Sequence, residues 1–335
     1  MQATPEISVL MCVYNSSLHV KEAMESILSQ TFKNFEFIVV NDGSTDESEA
    51  IILSYSDPRI KYIRNPENLG LIASLNKGIE ASAGKYIARM DADDISLPER
   101  LQEQYAYMEA HPLLGVCGSD YDQFDANTST HYKALTQHQE ILAYMLFNCS
   151  VVHPSLIIRT DLLKQQPVKF DISYKHAEDY ELWSRLIFKA QFSSVSKTLF
   201  RYRVHPGQVT QKHATVQVST ANRVRRNILS HAGFTFTEKE LEAHCKIGSS
   251  QKLSSLQELK EAGEWLNSML AQSPALKDFS GQTISEVIGK QWYDTCGNTS
   301  LGLKAFFTYF NFGMKHSYKG SAMKLLMKCI IRKFN

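Results

Sequence analysis

Residues 86–98 read YIARMDADDISLP, and three aspartates, Asp91, Asp93 and Asp94, crowd into four positions behind a mostly apolar run. Like charges this close repel and each carboxylate resists leaving water, so a positive partner is expected to arrive among them. An isolated Asp-x-Asp is also common in solvated turns that cap the next helix. Position on the fold has to decide between the two. Other residues able to do chemistry are the acidic pair Glu178-Asp179 in HAEDYELWSRL, Asp42 in NDGSTD, Arg64, His153 in VVHPSL, and Arg203 and His205 in YRVHPGQVT.

The elements that must position them alternate regularly. ISVLMCVY (7–14) is a continuous apolar run, as in a strand covered on both faces. A helix over 18–29 follows, with Val20, Ala23, Met24, Ile27 and Leu28 as its apolar stripe. Then come strand 35–40, a helix through 51–55, strand 60–64, helix 72–83 and a fourth strand, GKYIARM. Such alternation predicts an α/β fold with a mainly parallel, Rossmann-like sheet flanked by helices. Ligands of these sheets gather outside the carboxyl ends of the strands. Tyr14-Asn15, Asn41-Asp42-Gly43, Arg64 and Asp91-Ala92-Asp93 each stand where a strand gives way to its loop, so four strands bring polar groups to one rim.

After Glu99 the pattern loosens: a helix over 100–110, strand-like GVCGSDYDQF, a helix near 140–147, extended SVVHPSLIIR, and a helix over 176–190 that buries Leu182, Trp183, Leu186 and Ile187. TLFRYRVHPGQVT returns to extended structure. Beyond about Gln211 the composition turns helical, which places a domain boundary between 1–210 and 211–335. The chain has 335 residues, 43% hydrophobic, with a net charge of +1, which gives no support for a polyanionic partner such as nucleic acid. Six scattered cysteines suit reduced thiols rather than a zinc site or disulfides. The N-terminus has no signal-peptide pattern, and no apolar run reaches the ~20 residues of a spanning helix. The expectation is a cytoplasmic protein.

Five segments, ISVLMCVYN, VVNDGSTDES, RNPENLGL, ARMDADD and HAEDYELWSRL, follow in an order that resembles family 2 inverting glycosyltransferases of the GT-A fold, over residues 5–210. The resemblance implies a nucleotide-sugar donor, UDP-linked by expectation, whose diphosphate must be neutralised before it leaves. It makes Asp91 and Asp93 ligands of Mn²⁺ or Mg²⁺, with Asp93 the more direct and Asp91 nearer the ribose; hard oxygen donors suit such ions. Asp94 would support the ligands or cap a helix. His205 would complete the metal shell, and Arg203 would face the diphosphate instead if it does not. Asp42 would accept from a uracil N–H, with Tyr14 or Val13 on the ring, Arg64 near base or phosphates, Asn15 and Ala92 on the donor rim, and Asn68 and Gly70 shaping the loop beside the nucleotide. Asp179 matches the general base, held ionised by its helix N-terminus. Glu178, His153 and Trp183 would line the acceptor side, Trp183 having a core role as its alternative.

A single displacement opposite the leaving group inverts the anomeric centre, so an α-linked UDP-sugar would give a β-glycoside. The Gln-x-x-Arg-Trp segment and spanning helices of polymer-building relatives are absent, which suggests one hexose or N-acetylhexosamine per encounter with a saccharide acceptor in cell-surface polysaccharide synthesis. Near residue 335, Lys319, Lys324, Lys328, Arg332 and Lys333 interleave with Met323, Leu326, Met327, Ile330 and Ile331. That pattern fits a peripheral membrane contact beside a lipid-diphosphate-linked acceptor, a docked helix, or a homodimer contact. Two rivals to the glycosyltransferase reading exist. A sugar nucleotidyltransferase should carry a Gly-rich basic phosphate loop after the first strand, and VYNSSLHV does not. A catalytically silent binding module would need no base, and Asp179 stands beside intact metal aspartates.

Overall fold

The computed structural model describes residues 4–164, 169–205 and 214–331. The chain divides into two compact units, Met1–His138 with Val151–Gln217, and Gln139–Ser150 with Val218–Asn335.

In the first unit, β1 (Ile7–Val13) and β2 (Phe35–Asn41) are buried at every position, as continuous apolar runs require when helices cover both faces. β1 pairs in parallel with β2 and with β4 (Tyr86–Asp91), and β3 (Ile60–Arg64) adds in parallel to β2 as a half-exposed edge. The connecting helices are α1 (Val20–Leu28), α2 (Ser48–Leu53) and α3 (Leu71–Ala81). α1 buries Val20, Ala23, Met24 and Ile27 on one face. α3 lies so close to β1 that a Cβ on Gly78 would sit 2.1 Å from Leu10 Cδ1, so glycine lets the helix approach without displacing that buried side chain.

Beyond β4 the sheet becomes mixed. Its remaining strands are β5 (Ile95–Ser96), β6 (Leu114–Phe124), β7 (Ser129–Tyr132), β8 (Ile157–Arg159) and β9 (Gln191–Arg203). The order is β3-β2-β1-β4-β8-β6-β9-β5, with β7 on β6. β4 pairs antiparallel with β8, while β6 and β9 pair in parallel across three register shifts. The segment expected to be extended, SVVHPSLIIR, is instead a 3₁₀ turn at His153–Ser155 before the short β8, because Pro154 lacks a ladder N–H and suits the first turn of a helix. Buried polar side chains lock these strands. On α4 (Arg100–Ala110), Arg100 donates to Arg89 O (2.8 Å), and Gln104 Nε2 to Cys117 O (3.1 Å) and Ser155 O (2.9 Å). α6 (Thr160–Lys164) and α7 (Glu178–Leu186) complete the unit.

The second unit is helical. It takes in the residues after His138 of α5 (His138–Met145), then α8 (Ala214–Ala232), α9 (Glu238–Gly248), α10 (Leu256–Gln272), α11 (Gly281–Gly297), α12 (Leu303–Tyr309) and α13 (Ala322–Ile331). Capping boxes at Thr237/Glu240 and Ser255/Glu258 start α9 and α10. The segment after α5 belongs here because its carbonyls are claimed from this unit: Phe147 O by Arg225 Nε (2.6 Å) and Leu146 O by His244 Nε2 (2.9 Å). His244 Nδ1 accepts from Trp265 Nε1 (3.0 Å), and burial pushes its pKa down to about 4, so the ring is a neutral structural link. Among the described residues no helix is long and apolar enough to cross a membrane.

Candidate active site

The site lies in the first unit, at the carboxyl ends of the parallel strands. One carboxylate oxygen each from Asp91, Asp93 and Asp94 lies within 4.8 Å of the others. What closes this cluster is β5. Pairing Ile95 with Arg201 and Ser96 with Phe200, it draws the end of β9 over the acidic loop. Arg203 N–H donates to Asp94 Oδ1 (2.7 Å), Arg203 Nε donates to Asp93 O (2.6 Å), and His205 Nε2 lies 2.9 Å from Asp93 Oδ2. Residues more than a hundred positions apart thereby meet.

The electrostatics show a deficit of positive charge. Burial raises the pKa of Asp94 well above its ordinary value, and Asp91 and Asp93 push it further. Asp91 is raised by burial and then Asp93, against the opposing pull of Arg89. Asp94 Oδ2 is buried without a hydrogen-bond partner among the described residues. Arg89, buried within β4, pairs with Asp91. A clustered set of hard carboxylate oxygens with an orphaned buried one, beside an imidazole, has the chemistry to hold a divalent cation. Asp91, Asp93 and His205 are the residues that would hold it. Asp94 caps no helix; α4 begins at Arg100 with Glu99 before it, and Asp94 instead ties the acidic loop to β9. Arg203 is likewise committed, bracing Asp93 and pairing with Glu22 rather than standing open for a diphosphate.

The acidic pair sits at the start of α7. Asp179 Oδ1 accepts from Tyr180 N–H (2.7 Å), yet its pKa is raised, because burial outweighs that hydrogen bond and Arg89. A helix N-terminus favours the ionised form, but here burial is the larger influence and sets the direction of the shift. Asp91 also raises Asp179 and Arg89 lowers it, so the start of α7 and the acidic loop share one field. Glu178 is pushed up to about 7 by burial and then by Asp179. His153 is buried, and burial followed by Arg89 drives its pKa well down, leaving a neutral ring packed near Phe170 and Trp183. Trp183 is fully buried among His153, Phe170 and Phe192, so its ring belongs to the core and is not offered to an acceptor.

On the donor rim, Asp42 is buried and organises the loop after β3. Its Oδ1 accepts from Asn65 Nδ2 (2.8 Å) and Leu69 N–H (3.0 Å), and its Oδ2 from Gly70 N–H (2.9 Å), which leaves one lone-pair direction on Oδ2. Gly43 (φ +68°) packs against the same loop; a Cβ there would sit 2.5 Å from Glu67 C, so loop and turn can close only on glycine. Asn15, in left-handed backbone (φ +47°), accepts from Thr45 N–H (2.8 Å) and stitches the β1 and β2 loops together. Tyr14 is half exposed and available to stack, whereas Val13 and Ala92 are buried and contribute backbone only; Val13 O accepts from Asp42 N–H (2.8 Å). Asn68 is exposed. Arg64 is exposed and paired with Glu49 (3.3 Å). Sequence reasoning missed Arg89 and Asn65. The signal for Arg89 was a lone cation inside an apolar strand that ends in three carboxylates.

The family described as Glycosyl transferase family 2 matches residues 8–165. An uncharacterized glycosyltransferase of Haemophilus influenzae is 31% identical over 287 residues, 81% of this chain and 86% of that protein. The chain is a family 2 glycosyltransferase. A second relative, an uncharacterized glycosyltransferase of Methanocaldococcus jannaschii, is 36% identical over 208 residues, covering 60% of this chain and 71% of its own. The crystal structure of S. aureus TarS 1-349 in complex with UDP-GlcNAc superposes with a TM-score of 0.60 at 21% identity, over 93% of this chain and 91% of that one. That likeness concerns the fold, which is GT-A, as the segment order implied.

Proposed function

We propose that this glycosyltransferase moves one hexose or N-acetylhexosamine from a UDP-sugar to a saccharide acceptor with inversion, forming a β-glycosidic bond. The observation that carries the reading is the joining of two carboxylate groups in one electrostatic field: Asp91 and Asp93 with His205 on one side, and Asp179 with Glu178 on the other, with Arg89 acting on Asp91, Glu178 and Asp179. Bound Mn²⁺ or Mg²⁺ would supply counter-charge to the leaving diphosphate. Asp42, Tyr14, Asn15 and the Gly70 loop hold the nucleotide. Asp179, its basicity increased by burial, takes the proton of the acceptor hydroxyl, and Glu178 orients that acceptor; a raised pKa improves a carboxylate as a base as long as it is still ionised at working pH. His153, packed near Phe170 and Trp183, supports this side. We place the reaction in the cytoplasm, in cell-surface polysaccharide synthesis.

The test is a donor screen: nucleotide release from UDP-, GDP- and dTDP-sugars by metal-stripped protein, with and without added Mn²⁺ or Mg²⁺. Metal-stimulated release from UDP-sugars is expected. Equal release in excess EDTA removes the metal from the mechanism, and a preference for another nucleotide removes the uridine assignment. The anomeric configuration of the first-formed product, read by NMR, decides inversion.

A further inference from the structure

The second unit carries a charge asymmetry for which sugar transfer has no use. Residues 295–335 contain seven Lys and Arg and no Asp or Glu, in a protein whose net charge is +1, so the preceding residues carry −6. Within that stretch α13 is two-sided. Leu325 and Cys329 are buried, with Cys329 Sγ donating to Cys296 O of α11 (3.6 Å). Met323 (68% exposed), Met327, Ile330 and Ile331 face outward at helical spacing, with Lys324 exposed among them. On α12, Leu303 and Phe307 (64% exposed) repeat the pattern four residues apart, next to exposed Lys304. Arg332 and Lys333 continue the run but lie outside the described residues.

Exposed apolar stripes of this kind mark a surface that is covered in use. The cations select what covers it. We propose that the α12 and α13 faces dock on an anionic lipid bilayer, with the Met, Ile, Leu and Phe side chains entering the headgroup–acyl boundary while the lysines reach lipid phosphates. Long lysine stems lie along the apolar stripe and keep their ammonium groups at the surface. A second copy of the chain is the poorer occupant, because a two-fold contact would set the same unbalanced cations against each other.

The experiment is vesicle sedimentation of the full chain, using phosphatidylcholine alone and phosphatidylcholine with about a third phosphatidylglycerol, at low and high salt. Binding to the anionic vesicles only, weakening with salt, is expected. The combined variant Lys304→Gln/Lys319→Gln/Lys324→Gln should lower the partition coefficient on the order of 100-fold, about fivefold per cation. Met323→Gln/Met327→Gln/Ile331→Gln should also weaken binding at unchanged charge. Equal pelleting with both vesicle types, or none with either, overturns the proposal. So does a dimer by light scattering that the Met/Ile variant dissociates, which would make this face a self-interface. If a variant fails to fold by circular dichroism, the salt titration of the unmodified protein decides: binding that salt does not reduce refutes the lipid assignment.

Discussion

Glu178 gives the sharpest test of the electrostatics at the acceptor side. Its carboxyl is buried at the first turn of α7, and burial, followed by the neighbouring Asp179, moves its pKa from the ordinary 4.5 to about 7. A carboxyl whose folded pKa is raised binds its proton more tightly when folded. It therefore contributes stability fully below about pH 4.5, and that stability is lost as pH rises through about 7. The shift corresponds to about 3 kcal/mol in total. About 2 kcal/mol of it falls between pH 5.5 and pH 8.5, since part is already gone at the lower value. Glu178→Gln keeps the shape and removes the titration. Urea unfolding of metal-free protein at these two pH values should show the variant gaining about 2 kcal/mol on the unmodified protein as pH rises. A difference that does not change with pH would refute the argument, for it would mean that Glu178 ionises in the folded protein as freely as in the unfolded chain. The companion variant Asp179→Asn removes one of the two causes and should narrow the window from above.

Asp93→Ala should nearly abolish transfer, with the fold retained by circular dichroism; unchanged turnover would exclude Asp93 from the metal set. Asp179→Asn cannot accept the proton, so turnover should fall on the order of 10²–10⁴-fold while donor affinity, measured by calorimetry with a UDP-sugar, is kept. A collapse of donor affinity with turnover preserved would reassign the residue. Asp42→Ala leaves Asn65, Leu69 and Gly70 without their acceptor and should cost about 2–4 kcal/mol of stability, besides weakening UDP binding. Full stability in that variant would show that the loop after β3 does not depend on it.

Local pattern was enough for the parallel half of the fold. A strand buried on both faces must be apolar throughout, and an amphipathic helix must repeat its stripe, so β1 to β4 and α1 to α4 lie where their residues put them, within a few positions. The acidic rim was legible for the same reason: Asp42 follows β2 directly and Asp91-Ala92-Asp93 ends and follows β4, and in a parallel sheet those ends share one edge. Other properties depend on contacts far apart in sequence, and only the tertiary structure decided them. The two-residue β5 has too little pattern to announce itself, yet its pairing with β9 brings Arg203 and His205 onto Asp93 and Asp94. Burial decided the rest. Trp183 became core, Arg89 became the cation shared by both carboxylate groups, and the pKa of Asp179 went up although it sits at a helix N-terminus. Desolvation is set by everything packed around a group, and residue order along the chain carries no direct record of it.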